Sequence, residues 1–295
     1  MRDICLVASE GLFLSGKEKA RKRKRPSMLI FIKTRHRKCA FLLTANEFEA
    51  IIKISFLLKF KKARNHMQTE KNFYLYETHL HTYPVSKCAK NTVRENLEAY
   101  KAFGYDGVFI TNHFLDGNIN IDRSLPYEER IRFYFSDYEE ALLIGRELGL
   151  QVFLGVEMTY GGTDFLVYGL DKEWFLAHSE IESMKYSERL SYLAEAGALV
   201  IQAHPFREAA YIDHIRLFPR QVYGVETYNA CRTPFENDMA EMYAKHYGLP
   251  AFSGTDNHVA GKQQRLGGMK SETPVADEQD FIRRYINGEL LLIKN

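Results

Sequence analysis

From residue 73 onward, seven short apolar runs alternate with stretches whose apolar residues recur at helical spacing, and this alternation limits the fold more than any other feature. The runs cover 73–78, 107–111, 151–156, 164–170, 198–203, 222–228 and 249–253. They are too short for helices and rich in β-branched and aromatic residues, as strands covered on both faces are. Between the first two, Thr92 and Glu95 have capping-box spacing ahead of Val93, Leu97, Tyr100 and Phe103, and Gly104 follows the last turn. The spacing predicts one long helix over 127–148 stopped by Gly149, others near 187–196, 234–247 and 280–287, and an apolar finish at 290–293. A Gly161-Gly162 turn joins the third and fourth runs. The pattern predicts a mainly parallel α/β architecture.

Neither GxGxxG nor GxxxxGK[ST] occurs at a strand-to-helix turn, which removes the usual nucleotide cradles. Ionisable residues recur instead at the carboxyl ends of the runs. In a β/α barrel those ends meet on one face, where active sites sit, so a closed barrel is expected over an open sheet.

The first 66 residues differ in kind. They hold 17 Lys+Arg against 5 Asp+Glu, whereas the rest holds 23 against 33. The basic run at 21–25 is expected to be a solvated tail, and 41–62 one helix. Residues 1–66 are therefore read as a basic leader, either disordered or translated ahead of a true start at Met67, and 67–295 as the functional domain. Glu47, Glu49 and Lys53 interrupt the apolar stretch at 41–60, a poor membrane span. The four cysteines, Cys5, Cys39, Cys88 and Cys231, form no CxxC pair, which excludes a zinc finger or disulfide scaffold and fits a reducing, cytoplasmic setting.

Five strand ends carry the chemistry. The first reads Glu77-Thr78-His79-Leu80-His81; side chains two apart on a strand share a face, so His79 and His81 can grip one ion. The others end in Asn112-His113, Val156-Glu157, Ala203-His204-Pro205 and Thr255-Asp256-Asn257-His258. A polar group ending a buried apolar run needs a partner or costs folding energy, and five ends alike point to a shared centre. Mixed imidazole and carboxylate ligands suit Zn, Mn or Fe. His36, His66, His178, His214 and His246 fall elsewhere and are read as structural or surface residues.

Together, His79-Leu80-His81-Thr82 with Ser86, Thr111-Asn112-His113, Gly155-Val156-Glu157, Ala203-His204-Pro205 and Gly254-Thr255-Asp256-Asn257-His258 resemble the motifs of the PHP superfamily, the polymerase and histidinol phosphatase domain, from 73 to about 268. The resemblance implies a distorted seven-stranded (β/α)7 TIM-like barrel binding two or three divalent ions. It implies His79, His81, Glu157 and Asp256 on one ion, Glu157 bridging to a second held by His204, and His113, His258 and Cys88 on a third. Where many members carry a His on the fourth strand this chain has none, and either Asp164 substitutes or the second site is weaker.

The expected activity is histidinol-phosphatase-like hydrolysis of a small phosphate monoester by metal-activated hydroxide, with Arg207 and Arg232 binding phosphate oxygens and Asp256 or a water protonating the leaving group. A nuclease and a non-catalytic metal-binding module are the alternatives. The acidic body argues against nucleic acid, and no membrane partner is expected.

Overall fold

The structure is a computed structural model that describes residues 73–295 and the two strands of a hairpin nearer the amino terminus. The chain divides into two units, Met1–Lys71 and Asn72–Asn295. In the first, β1 (Ser27–Lys33) and β2 (Lys38–Thr44) pair antiparallel, Ser27 opposite Thr44 and Lys33 opposite Lys38. The helix expected over 41–62 does not begin there: residues 41–44 are strand, an apolar run too short for periodicity to separate the two forms. The rest of that segment, the basic run at 21–25 and Met67 lie outside the described residues.

In the second unit every run read as a strand is one: β3 (Tyr74–Leu80), β4 (Gly107–Ile110), β5 (Gln151–Tyr160), β6 (Thr163–Tyr168), β7 (Leu199–Ala203), β8 (Gly224–Asn229) and β9 (Ala251–Gly254). Two more, β10 (Gly267–Ser271) and β11 (Leu291–Lys294), extend the sheet to nine strands in the order β11-β10-β3-β4-β5-β6-β7-β8-β9. The expected (β/α)7 barrel is thus replaced by a mixed sheet. The pairings β3–β4, β4–β5, β7–β8 and β8–β9 are parallel, and the other four are antiparallel. The β5–β6 hairpin is the reason: Gly161 and Gly162 both take positive φ (55° and 84°), as a tight turn between twisted strands requires, so no helix intervenes.

The sheet curls until its ends nearly meet. Leu80 bridges Asn257 in parallel, and Asp256 N–H donates to the His79 carbonyl at 2.9 Å. Here β10 is squeezed between β3 and β9. A Cβ on Gly267 would lie 2.1 Å from the Gly254 oxygen, and one on Gly268 2.2 Å from the Tyr76 oxygen, so both positions need glycine.

Helices cover the outside. On α1 (Val93–Ala102) the Thr92–Glu95 capping box forms as expected, and Val93, Leu97 and Tyr100 are buried. The expected 127–148 helix is two, α2 (Tyr127–Tyr134) and α3 (Ser136–Leu148), the latter ended by Gly149 at φ 62°. Two buried anchors fix the break. Tyr134 donates its hydroxyl to the Asn112 carbonyl (2.9 Å), and the Asp137 carboxylate accepts from the Thr82 hydroxyl (2.7 Å). Then follow α4 (Lys172–Ala177), α5 (Tyr186–Glu195), α6 (Pro234–Tyr247) and α7 (Glu278–Ile286). Phe281 of α7 packs on the inward rings of Tyr76, Phe109, Tyr168 and Phe252, 4.6 Å from Phe109 between centroids. That aromatic core fills the barrel and leaves its carboxyl-end face for polar residues. Among the described residues no helix is long and apolar enough to cross a membrane.

Candidate metal centre

The carboxyl ends of β3, β4, β7 and β9 and the interior of β5 deliver their polar residues to one point. His79 and His81 are fully buried with Nε2 atoms 3.3 Å apart, so the shared face expected of i, i+2 residues holds despite a register irregularity between Glu77 and Leu80. Glu157 sits in their midst. Its Oε1 lies 3.1 Å from His79 Nε2 and 3.4 Å from His204 Nε2, while its Oε2 lies 3.3 Å from His81 Nε2 and 2.7 Å from His113 Nδ1. Each oxygen therefore faces a different pair of imidazoles. Asp256 Oδ1 approaches His81 Nε2 at 3.3 Å, and its Oδ2 lies 3.8 Å from His204 Nε2.

Four overlapping groups result, each with ligand atoms within 4.8 Å of one another: His79, His81 and Glu157; His79, His204 and Asp256; Glu157, Asp164 and His204; and His81, Cys88, His113 and His258. All eight ligands expected from sequence fall in these groups, and Asp164 joins them. His178, stacked on Trp174, and the surface residues His214 and His246 stay away; His36 and His66 lie outside the described residues.

The donor set fits divalent cations. Both oxygens of Glu157, Asp164 Oδ1, His204 Nε2 and His113 Nδ1 are buried without a hydrogen-bond partner; the close His113–Glu157 approach lacks hydrogen-bond alignment. Buried polar atoms are almost always satisfied, and an unsatisfied buried carboxylate is costly. A cation among these lone pairs would satisfy them all.

The electrostatics agree. Burial alone would raise the Glu157 carboxyl, but His113, His79 and His81 hold it well below the usual carboxylate range, and His79 and His258 do the same for Asp256. Burial and the neighbouring His113 push His81 down to about 3, which keeps a lone pair available. Burial would raise the Cys88 thiol, yet hydrogen bonds with His113 and His258 bring it down to about 6. Burial and Glu157 raise Asp164.

Two residues of the cluster hold strained backbones. His204 has φ 22° and Asp256 φ 58°, where non-glycine residues are uncommon and which cluster at functional sites.

An outer layer fixes the cluster. Glu226 on β8 accepts from His79 Nδ1 at 3.0 Å and, through its other oxygen, from the His204 and Asn229 nitrogens at 3.0 Å. That bond leaves His79 Nε2 for the centre. The sequence reading missed Glu226, although a lone acid inside the 222–228 run was a signal. Ser86 Oγ lies 3.1 Å from His81 Nδ1, and the Asp256 carbonyl 2.8 Å from His258 Nδ1. Glu77, which burial pushes up to about 6 against the pull of its Thr255 hydrogen bonds, takes the Thr78, His79 and Thr255 amides.

Two arginines reach the rim. Arg207 Nη1 lies 3.2 Å from Asp164 Oδ2, and Arg232 Nη2 3.7 Å from Asp256 Oδ2. Both are mostly buried, so each brings a positive charge to the mouth.

No protein-family model and no curated protein matches the chain. Solved structures do. A two-domain protein containing a predicted PHP-like metal-dependent phosphoesterase, from Bacteroides vulgatus, superposes with a TM-score of 0.54 at 13% identity over 75% of this chain and 65% of that one. This chain shares that protein's fold. Its nine-stranded, nearly closed sheet is that fold's form here. The present chain thus spans under two thirds of that relative. PsfC from Pseudomonas syringae (TM-score 0.47, 18% identity, 72% of this chain and 88% of that one) and a sulfate-bound, metal-free amidohydrolase from Chromobacterium violaceum (0.44, 14%, 73% and 97%) are also similar.

Proposed function

We propose that the chain is a metal-dependent hydrolase acting on small phosphate monoesters, in the manner of histidinol phosphatases, with two or three ions of Zn, Mn or Fe. One observation carries the reading: a buried carboxylate, Glu157, whose two unpartnered oxygens face two separate pairs of imidazoles. No purely structural role explains that arrangement, because an apolar group of the same shape would be cheaper to bury.

His79, His81, Glu157 and Asp256 would hold one ion; Glu157 and His204, with Asp164 in place of a histidine, a second; and His113, His258 and Cys88 a third. Bound there, divalent ions supply a nucleophilic water near neutral pH and screen phosphoryl charge. The chain's own groups orient and bind. Glu226 fixes the His79 ring, and Ser86 that of His81. Arg207 and Arg232 offer guanidinium forks to the non-bridging oxygens. Asp256, on its strained backbone, faces both the imidazoles and Arg232, so it serves as a ligand before it serves as a proton donor. We assign the protein to the cytoplasm on its cysteine pattern.

The test is p-nitrophenyl phosphate hydrolysis against a panel of Mn, Zn and Fe, with a single-stranded oligonucleotide assayed in parallel. Turnover of the monoester that is lost in a folded His79→Ala variant supports the reading. No hydrolysis of any ester, or unchanged turnover in that variant, refutes it. The basic leader favours the nuclease alternative, which faster oligonucleotide cleavage would establish.

A further inference from the structure

Beyond the ligands lies an exposed aromatic residue that the reaction outlined above does not use. Tyr211 is 67% exposed, the most of any large apolar side chain among the described residues. It stands four residues past Arg207, in the irregular segment after β7. Its hydroxyl hydrogen-bonds Arg207 Nη2, and the guanidinium carbon lies 5.5 Å from the ring centroid. Through Nη1 the same guanidinium reaches Asp164 at 3.2 Å. Arg207 is thus pinned between the metal-binding cluster on one side and Tyr211 on the other.

The backbone around Tyr211 is tied on both flanks. Arg207 N–H donates to the His204 carbonyl at 3.0 Å, and Glu208 N–H to Glu236 Oε1 at 2.8 Å. Beyond Tyr211, Ile212 packs where a Cβ on Gly162 would lie 2.9 Å away, and the Arg216 carbonyl accepts from Gln202 Nε2 at 2.7 Å. The ring is therefore presented by a fixed frame.

We propose that Tyr211 is a positioning residue for Arg207, holding the guanidinium extended toward the mouth so that its remaining N–H groups can take the oxygens of a phosphoryl ligand. The proposal rests on the phosphate-ester reading. A guanidinium has five N–H donors, and Asp164 and Tyr211 take one each. Without the hydroxyl, only the face of the ring remains against the outer side of the guanidinium. The fork can then swing about its Asp164 contact, away from the mouth. Phosphate binding weakens while the chemistry at the cluster stays intact.

The experiment uses the full-length, Mn-loaded chain with inorganic phosphate as the probe, measured by calorimetry and as a competitive inhibitor of p-nitrophenyl phosphate hydrolysis. Tyr211→Phe, conservative and at an exposed position, should raise the phosphate Ki and the substrate KM by about three- to tenfold and leave kcat within about twofold. Phosphate affinity unchanged in Tyr211→Phe overturns the proposal. So does a Tyr211→Ala variant that loses only aryl substrates, since the ring would then be a stacking surface for the leaving group. If the wild-type chain neither binds phosphate nor hydrolyses the ester, the phosphate-ester reading falls and this inference falls with it.

Discussion

Loading the centre should stabilise the protein by an amount that mass action sets. The cluster holds buried carboxylate oxygens and imidazole nitrogens without hydrogen-bond partners, so the metal-free fold carries uncompensated desolvation that a cation removes. A ligand at a hundred times its Kd adds about 2.7 kcal/mol for one site that the unfolded chain lacks. The unit from Asn72 has about 220 residues, and at about 2.1 cal/mol/K per residue its unfolding entropy near the midpoint is about 0.46 kcal/mol/K. One filled site therefore raises Tm by about 6 °C, and two by about 12 °C, less whatever the unfolded chain's Cys and His residues bind. The assay is calorimetry on protein stripped with EDTA, dialysed, and titrated with Mn or Zn. His79→Ala and Glu157→Gln should lose most of the increment. His178→Gln should keep it, because that ring stacks on Trp174 away from the cluster. A melting curve indifferent to metal, or an increment that survives Glu157→Gln, would refute the reasoning.

Glu226→Gln should weaken metal affinity at the His79 site by about ten- to a hundredfold, read by calorimetry, since the outer carboxylate sets that ring's tautomer and basicity. Asp164→Ala should lower metal content by one ion per chain, read by plasma mass spectrometry; unchanged content would leave Glu157 and His204 as the second site's sufficient ligands. In metal-free protein Cys88 should alkylate with iodoacetamide along a curve centred near pH 6, its thiolate growing as pH rises, while Cys231, an exposed thiol whose pKa is pushed up, should react more slowly at pH 7. Peptide mapping reads both, and bound metal should protect Cys88.

Local signals carried the seven-strand framework and most helix ends because each had its own physical cause: the Thr92–Glu95 box, the glycine at 149, the Gly161-Gly162 turn. What escaped depends on partners far along the chain. β10 reads Gly-Gly-Met-Lys-Ser, with no strand propensity at its start, and those glycines are there because Gly254 and Tyr76 press on them. The split at Phe135 likewise follows from anchors at Thr82 and Asn112. An antiparallel β6 was also hidden, since a buried strand's apolar run looks the same in either direction.

The site shows the same division, and it bears on how such centres are built. Candidate ligands announce themselves in sequence, because an imidazole or carboxylate ending an apolar strand is out of place unless something charged awaits it. The groups that aim them need not. Glu226 lies 147 positions from His79, with which it bonds, and from β8 it restrains two cluster residues at once, the His79 ring and the His204 backbone. His204 is held at φ 22°, a conformation that needs support from its surroundings, and the Glu226 bond to its amide supplies part of it. Losing Glu226 should therefore cost more than a reoriented His79. It should also release His204, so the ions sharing Glu157 ought to weaken together rather than singly. Two metal affinities falling in parallel in Glu226→Gln would show that coupling. A fall confined to the His79 site would show that the His204 backbone is held without it.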